Sequence, residues 1–106
     1  ASVEMISEVP PLICDSALTK QIVGYMQELP IPGLVPYPGV SANASEDFAS
    51  VAERVPSAFL YLSAGFLDER GDAPAHNPKV RFNEDVCPIG VSCLTHCAIR
   101  WLEENR

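Results

Sequence analysis

His76 and the short motif Ser45-Glu46-Asp47 hold the side chains best suited to chemistry in this sequence. His76 is one of two histidines and lies in the run Pro74-Ala75-His76-Asn77-Pro78. An imidazole ligates divalent cations or moves protons near neutral pH. The flanking prolines fix φ and restrict the residue ahead of each, so the loop that presents it is stiff. The same composition also describes a surface loop whose histidine does nothing. Glu46 and Asp47 offer paired carboxylates. Ser45 ahead of them reads as a helix N-cap, and acids in a first helical turn are what the helix dipole favours, so capping chemistry accounts for both. Cys93, His96 and Cys97 lie within about one helical turn and resemble a soft-metal site. No second Cys or His pair stands at a zinc-like spacing to complete four ligands. Core thiols beside a partly exposed histidine is the reading taken.

Stepwise along the chain, Ser2 to Val9 alternate apolar and polar as a half-exposed strand, ended by Pro10-Pro11. Asp15 is the N-cap of a first helix with Leu18, Ile22, Tyr25, Met26 and Leu29 at helical spacing, stopped by Pro30 and Pro32. Gly33 to Val40 is apolar but Pro-interrupted, fit only for a short or edge strand. A second helix runs from its Ser45 cap through Phe48, Val51, Ala52 and Val55 to Pro56. The continuous apolar run Ser57 to Ala64 reads as a central strand covered on both faces. A charged loop from Asp68 to Ala75 leads to His76. The last helix begins near Asp85, with Pro88 in its first turn. Its buried stripe is predicted as Val86, Gly90, Cys93, Leu94, Cys97, Ala98, Trp101 and Leu102.

Alternating strands and helices around an apolar central strand predict an α/β fold, with layered helices on a mixed, largely parallel sheet. So few strands would leave an open edge, and the sequence looks like part of a larger sheet. A net charge of −7 argues against nucleic acid or an anionic membrane as partner. No apolar run approaches the ~20 residues of a membrane span, and no signal peptide is visible, so a cytoplasmic location is expected. Cys14, Cys87, Cys93 and Cys97 read as buried free thiols in a reducing compartment. The first residue is alanine, which admits a processed chain or a piece of something longer.

Taken in order, Ser45-Glu46-Asp47-Phe48-Ala49, Val55-Pro56-Ser57-Ala58-Phe59, Ala64-Gly65, His76-Asn77-Pro78 and Phe82-Asn83-Glu84-Asp85-Val86-Cys87-Pro88-Ile89-Gly90 resemble the C-terminal part of the metal-dependent N-acyl-amino-acid amidohydrolases. These include the hippurate hydrolases, the auxin-conjugate hydrolases and related aminoacylases and carboxypeptidases. The resemblance covers nearly the whole chain. It implies a single unit over 1–106, the C-terminal portion of a zinc-peptidase-like catalytic domain. Residues 1–14 would be the return strand from the lid domain, and 15–106 the α/β segment. Two departures stand out: Asn77 follows the histidine, where His, Ser or Thr is usual, and Asn43-Ala44 precede Ser45, where the family tends to have glycine.

The resemblance also implies chemistry. The family holds a pair of divalent metals, zinc or manganese, and a metal-activated water attacks an amide carbonyl with a glutamate as general base. His76 matches the last metal ligand. Ser45, Glu46 and Asp47 match a stretch that supports the active-site wall near substrate. The remaining ligands and the general base belong to a region these 106 residues do not include, so no catalytic residue is assigned within this chain. The chain alone is expected to be inactive and to hold no metal tightly. Its partners would be a small N-acyl amino acid or peptide, the remainder of the catalytic domain, and a second copy through uncovered strands. The rival reading is a stand-alone, non-catalytic α/β module that binds another protein through an exposed sheet edge.

Overall fold

A computed structural model describes residues 1–106. The chain forms three α-helices and two 3-10 turns, and no strand. The predicted α/β fold with a mixed, largely parallel sheet is therefore corrected: this is a helical chain with long irregular segments. Two compact units divide it, Ala1–Phe59 and Leu60–Arg106.

In the first unit, α1 spans Ser16–Gln27. Asp15 adopts the extended conformation of an N-cap, and its carboxylate accepts the Leu18 N–H at 2.7 Å. Tyr25 and Met26 are buried, and Leu18, Ile22 and Leu29 are half-buried, so the predicted apolar stripe is the inward face. Beyond the helix, the Leu34 N–H donates to the Ile31 carbonyl across Pro32 and Gly33. Gly33, at φ +79°, supplies the positive φ that a type II turn needs after a proline.

The second helix is shorter than predicted. α2 covers only Ala49–Ala52, and its cap position is Phe48 rather than Ser45. Bonds from the Ala49 and Ser50 N–H groups back to the Glu46 and Asp47 carbonyls form an irregular lead-in turn. One helical turn brings little cooperativity of its own. Packing holds it: Ala49 is fully buried, and the Phe48 and Phe59 rings meet at 5.6 Å between centroids.

The three predicted strands, Ser2–Val9, Gly33–Val40 and Ser57–Ala64, do not form. A strand is stabilised by a ladder to a neighbour, and an apolar run of the right type makes none without one. The Ser57–Ala64 run has isolated backbone bonds at its two ends instead. Within the first unit the Ser57 carbonyl accepts from the Asp15 N–H at 2.8 Å, and within the second the Ala64 carbonyl accepts from the Asn83 N–H at 2.8 Å.

The second unit is built on α3, Cys87–Glu104, led in by the 3-10 turn Glu84–Val86. The Asn83 side chain caps that turn by accepting the Asp85 N–H, and Pro88 sits in the first turn of α3 as predicted. The buried stripe is narrower than predicted. Cys93 and Cys97 are buried, Val86 and Gly90 half-buried, but Leu94, Ala98, Trp101 and Leu102 are exposed. Arg100 pairs with Glu103 at 3.4 Å and Glu104 at 2.9 Å near the helix end. No helix is long and apolar enough to cross a membrane.

Candidate functional site

His76 is exposed on a pair of linked turns. The Asn77 N–H donates to the Pro74 carbonyl at 3.2 Å, which puts Ala75 and His76 at the two central positions of a β-turn. A second turn follows at once. The Val80 N–H donates to the Asn77 carbonyl at 3.0 Å, and the Asn77 side chain accepts the Lys79 N–H at 2.9 Å. Asn77 thus works as the local turn-builder its side chain favours. His76 has φ of 68°, and no other non-glycine residue of the chain has a positive φ. A β-carbon in the left-handed region costs roughly 1–2 kcal/mol, and such outliers cluster at functional sites.

Next to this loop, in the same unit, sits an ion pair the sequence reading passed over. Arg70 Nη2 lies 2.6 Å from Asp68 Oδ2, and Arg70 Nε bonds to both carboxylate oxygens. The guanidinium carbon stacks 3.9 Å from the centre of the Phe66 ring. Hydrogen bonds from the Arg70 side chain, then from its backbone N–H, lower the Asp68 pKa from 3.8 to about 2. The same carboxylate raises the Arg70 pKa. Gly71 closes the turn, and a β-carbon there would run into the Phe66 carbonyl oxygen. The signal was present as Asp-Glu-Arg-Gly, an acid capping a tight turn with a base two residues on and glycine after it.

Ser45, Glu46 and Asp47 belong to the other unit, so the structure describes His76 and these three in separate bodies. Ser45 and Asp47 are exposed and Glu46 is half-buried. The capping role predicted for Ser45 is not taken up, since no side chain caps α2; the Glu46 carboxylate instead accepts the Phe48 N–H at 3.2 Å within the lead-in turn. The first unit also contains an open cleft of about 710 Å³ lined by Cys14, Asp15, Glu53, Arg54 and their neighbours. None of Ser45, Glu46 and Asp47 lines it.

No disulfide joins the four cysteines. Cys93 and Cys97 are the buried thiols expected of the α3 stripe, whereas Cys14 is half-buried and Cys87 exposed. Cys87 lies on the exposed face of α3, in register with Val91 and Leu94 four and seven residues on. No three His, Cys, Asp or Glu side chains are grouped so as to hold a metal ion.

Comparison with known proteins gives two findings. The description "Peptidase family M20/M25/M40" matches residues 1–100. The chain is also 33% identical, over 98 residues, to a protein of Arabidopsis thaliana named IAA-amino acid hydrolase ILR1-like 2. That alignment covers 92% of this chain and 22% of the relative, so the chain spans about a fifth of the length of the curated protein it matches. No solved structure matches the chain significantly.

Proposed function

Because the chain belongs to the M20/M25/M40 peptidase family, we propose that it serves as one segment of a metal-dependent amidohydrolase that cleaves the amide bond of N-acyl amino acids or small peptides. The relative's name describes a hydrolase acting on an IAA–amino acid conjugate, which belongs to that substrate class. Within this segment His76 is the metal ligand, and Ser45, Glu46 and Asp47 form part of the wall beside the substrate.

The observation that carries the reading is the backbone of His76. An exposed imidazole is held at φ 68° by two consecutive turns, and nothing in the loop's packing requires a histidine there. A neutral imidazole supplies one nitrogen donor to a divalent cation, and the turn fixes where that donor points.

The residues present do not by themselves fit the pair of divalent metals, zinc or manganese, that the family uses. One exposed histidine and no grouping of three ligand side chains cannot hold two cations. The chain alone is accordingly proposed to be inactive, with the remaining ligands and the general base supplied by the remainder of the catalytic domain. The rival, a non-catalytic module that binds through a sheet edge, has lost its basis, since no sheet forms.

The test compares two polypeptides on N-acetyl and N-benzoyl amino acids. The natural-length protein should turn over, and His76→Ala should cost more than about 100-fold, since loss of a supporting outer-shell partner alone costs roughly 10–100-fold. The 106-residue chain should show no turnover. Turnover by the short chain that disappears with His76→Ala would overturn the proposal.

A further inference from the structure

The two turns of the His76 loop are unequal. The second, Asn77 to Val80, is built from residues that favour it, with asparagine first and proline next. The Val80 N–H donates to the Asn77 carbonyl at 3.0 Å, and the Lys79 N–H to Asn77 Oδ1 at 2.9 Å. The first turn, which carries His76, is the weaker. Its closing bond, from the Asn77 N–H to the Pro74 carbonyl, is 3.2 Å long, at the far end of the hydrogen-bond range. It also holds a histidine at φ 68°, in the position where a type II turn asks for glycine or asparagine. Both turns meet at Asn77, whose N–H, carbonyl and side-chain oxygen are all engaged. Asn77 is half-buried, whereas Ala75, His76, Pro78 and Lys79 are exposed.

The geometry points to Asn77 as a positioning residue for His76: its side-chain oxygen clamps the shared corner of the two turns and so keeps the histidine in the left-handed region. This rests on the reading of His76 as a ligand in a hydrolase. Pro78 already restricts Asn77 to extended backbone. The bond from Oδ1 to the Lys79 N–H narrows that range to one setting. In that setting the Asn77 N–H is aimed at the Pro74 carbonyl, which closes the turn over His76. Once the side chain is truncated the aim is lost, and the strained histidine relaxes to a negative φ. Its β-carbon then points elsewhere, and the imidazole leaves the line on which the turn had held it.

The experiment uses the natural-length protein and its Asn77→Ala and Asn77→Ser variants. A single net hydrogen bond biases an equilibrium by about fivefold, so Asn77→Ala should lower kcat by about that factor. That is far short of the loss of more than about 100-fold set for His76→Ala. Asn77→Ser should recover most of the rate, because a hydroxyl makes the same turn bond, more weakly. In protein labelled with carbon-13 only at histidine, the backbone shifts of His76 report the sign of φ. They should move towards ordinary values in Asn77→Ala and return in Asn77→Ser. Identical His76 shifts in Asn77→Ala and the parent overturn the positioning role, as does a serine variant no better than the alanine one. Undiminished turnover by His76→Ala overturns the ligand reading itself, and the positioning role with it.

Discussion

The Asp15 backbone N–H donates to the Ser57 carbonyl at 2.8 Å, while the Asp15 carboxylate accepts the Leu18 N–H at 2.7 Å. One residue therefore starts α1 and ties that start to the chain just after α2. Replacing Asp15 by alanine keeps the backbone bond and orphans the Leu18 N–H. The cost should be about 1 kcal/mol, and Asp15→Asn should recover most of it because an amide oxygen caps almost as well. Urea midpoints of the three proteins check this. Equal midpoints for the aspartate and alanine forms would remove the cap from the account.

Two helix-interior glycines should respond differently to alanine. A β-carbon on Gly24 meets nothing within 4 Å, so Gly24→Ala should stabilise α1 by about 0.5–1 kcal/mol through helix propensity alone. A β-carbon on Gly90 would lie 2.9 Å from Leu62 Cδ2. Leu62 is 45% exposed and can turn that methyl aside, so Gly90→Ala should gain less than Gly24→Ala. Thermal unfolding of both variants decides it, and a larger gain at Gly90 would show the contact to be loose.

Asp68 should titrate at about 2 in the folded protein, against an ordinary value of 3.8, because Arg70 hydrogen-bonds its charged form. A lowered pKa in the folded state means that the pair's stabilising contribution is complete above 3.8. It fades as acid protonates Asp68 between 3.8 and about 2. Both partners are exposed, so the contribution to stability is small and weakens with salt. Carbon NMR of the Asp68 carboxyl gives the midpoint directly. Arg70→Gln should return it towards 3.8, and an identical midpoint in both proteins would contradict the pairing.

His76 lets stability and activity be separated. Both His76→Gly and His76→Ala remove the imidazole, so on the proposed ligand role both should cost the natural-length protein its activity. Only glycine relieves the positive φ, so His76→Gly should be more stable than His76→Ala by about 1 kcal/mol. Equal stabilities would mean that the turn relaxes to an ordinary φ once the histidine is gone.

What was legible in the sequence divides along a physical line. Local signals came through. The Asp15 cap, the Leu18-to-Leu29 stripe, the proline stop after α1 and Pro88 in the first turn of α3 depend on neighbours a few residues away, and all are present. The family was legible too, in motifs whose order and spacing survive any error about elements. The strands were not, because Ser2–Val9 and Ser57–Ala64 have strand composition, while pairing depends on a partner that composition does not name. The α3 stripe was read too wide for a related reason. Leu94 and Leu102 are apolar enough for a core, yet this chain presents nothing to cover them. At the site, the two prolines announced a stiff loop around His76, but its left-handed φ was hidden because histidine rarely adopts it.

The unequal placement of the thiols on α3 provides a clock. Cys87 is exposed at the first turn, while Cys93 and Cys97 face inward on the same helix. An alkylating reagent in excess should modify Cys87 in a fast first phase without disturbing the fold. The two inner sulfurs become reachable only when the helix lifts from its bed, so their modification rate reports how often that happens. The helix thus carries its own internal reference, with prompt labelling at one end timing the rarer openings further along.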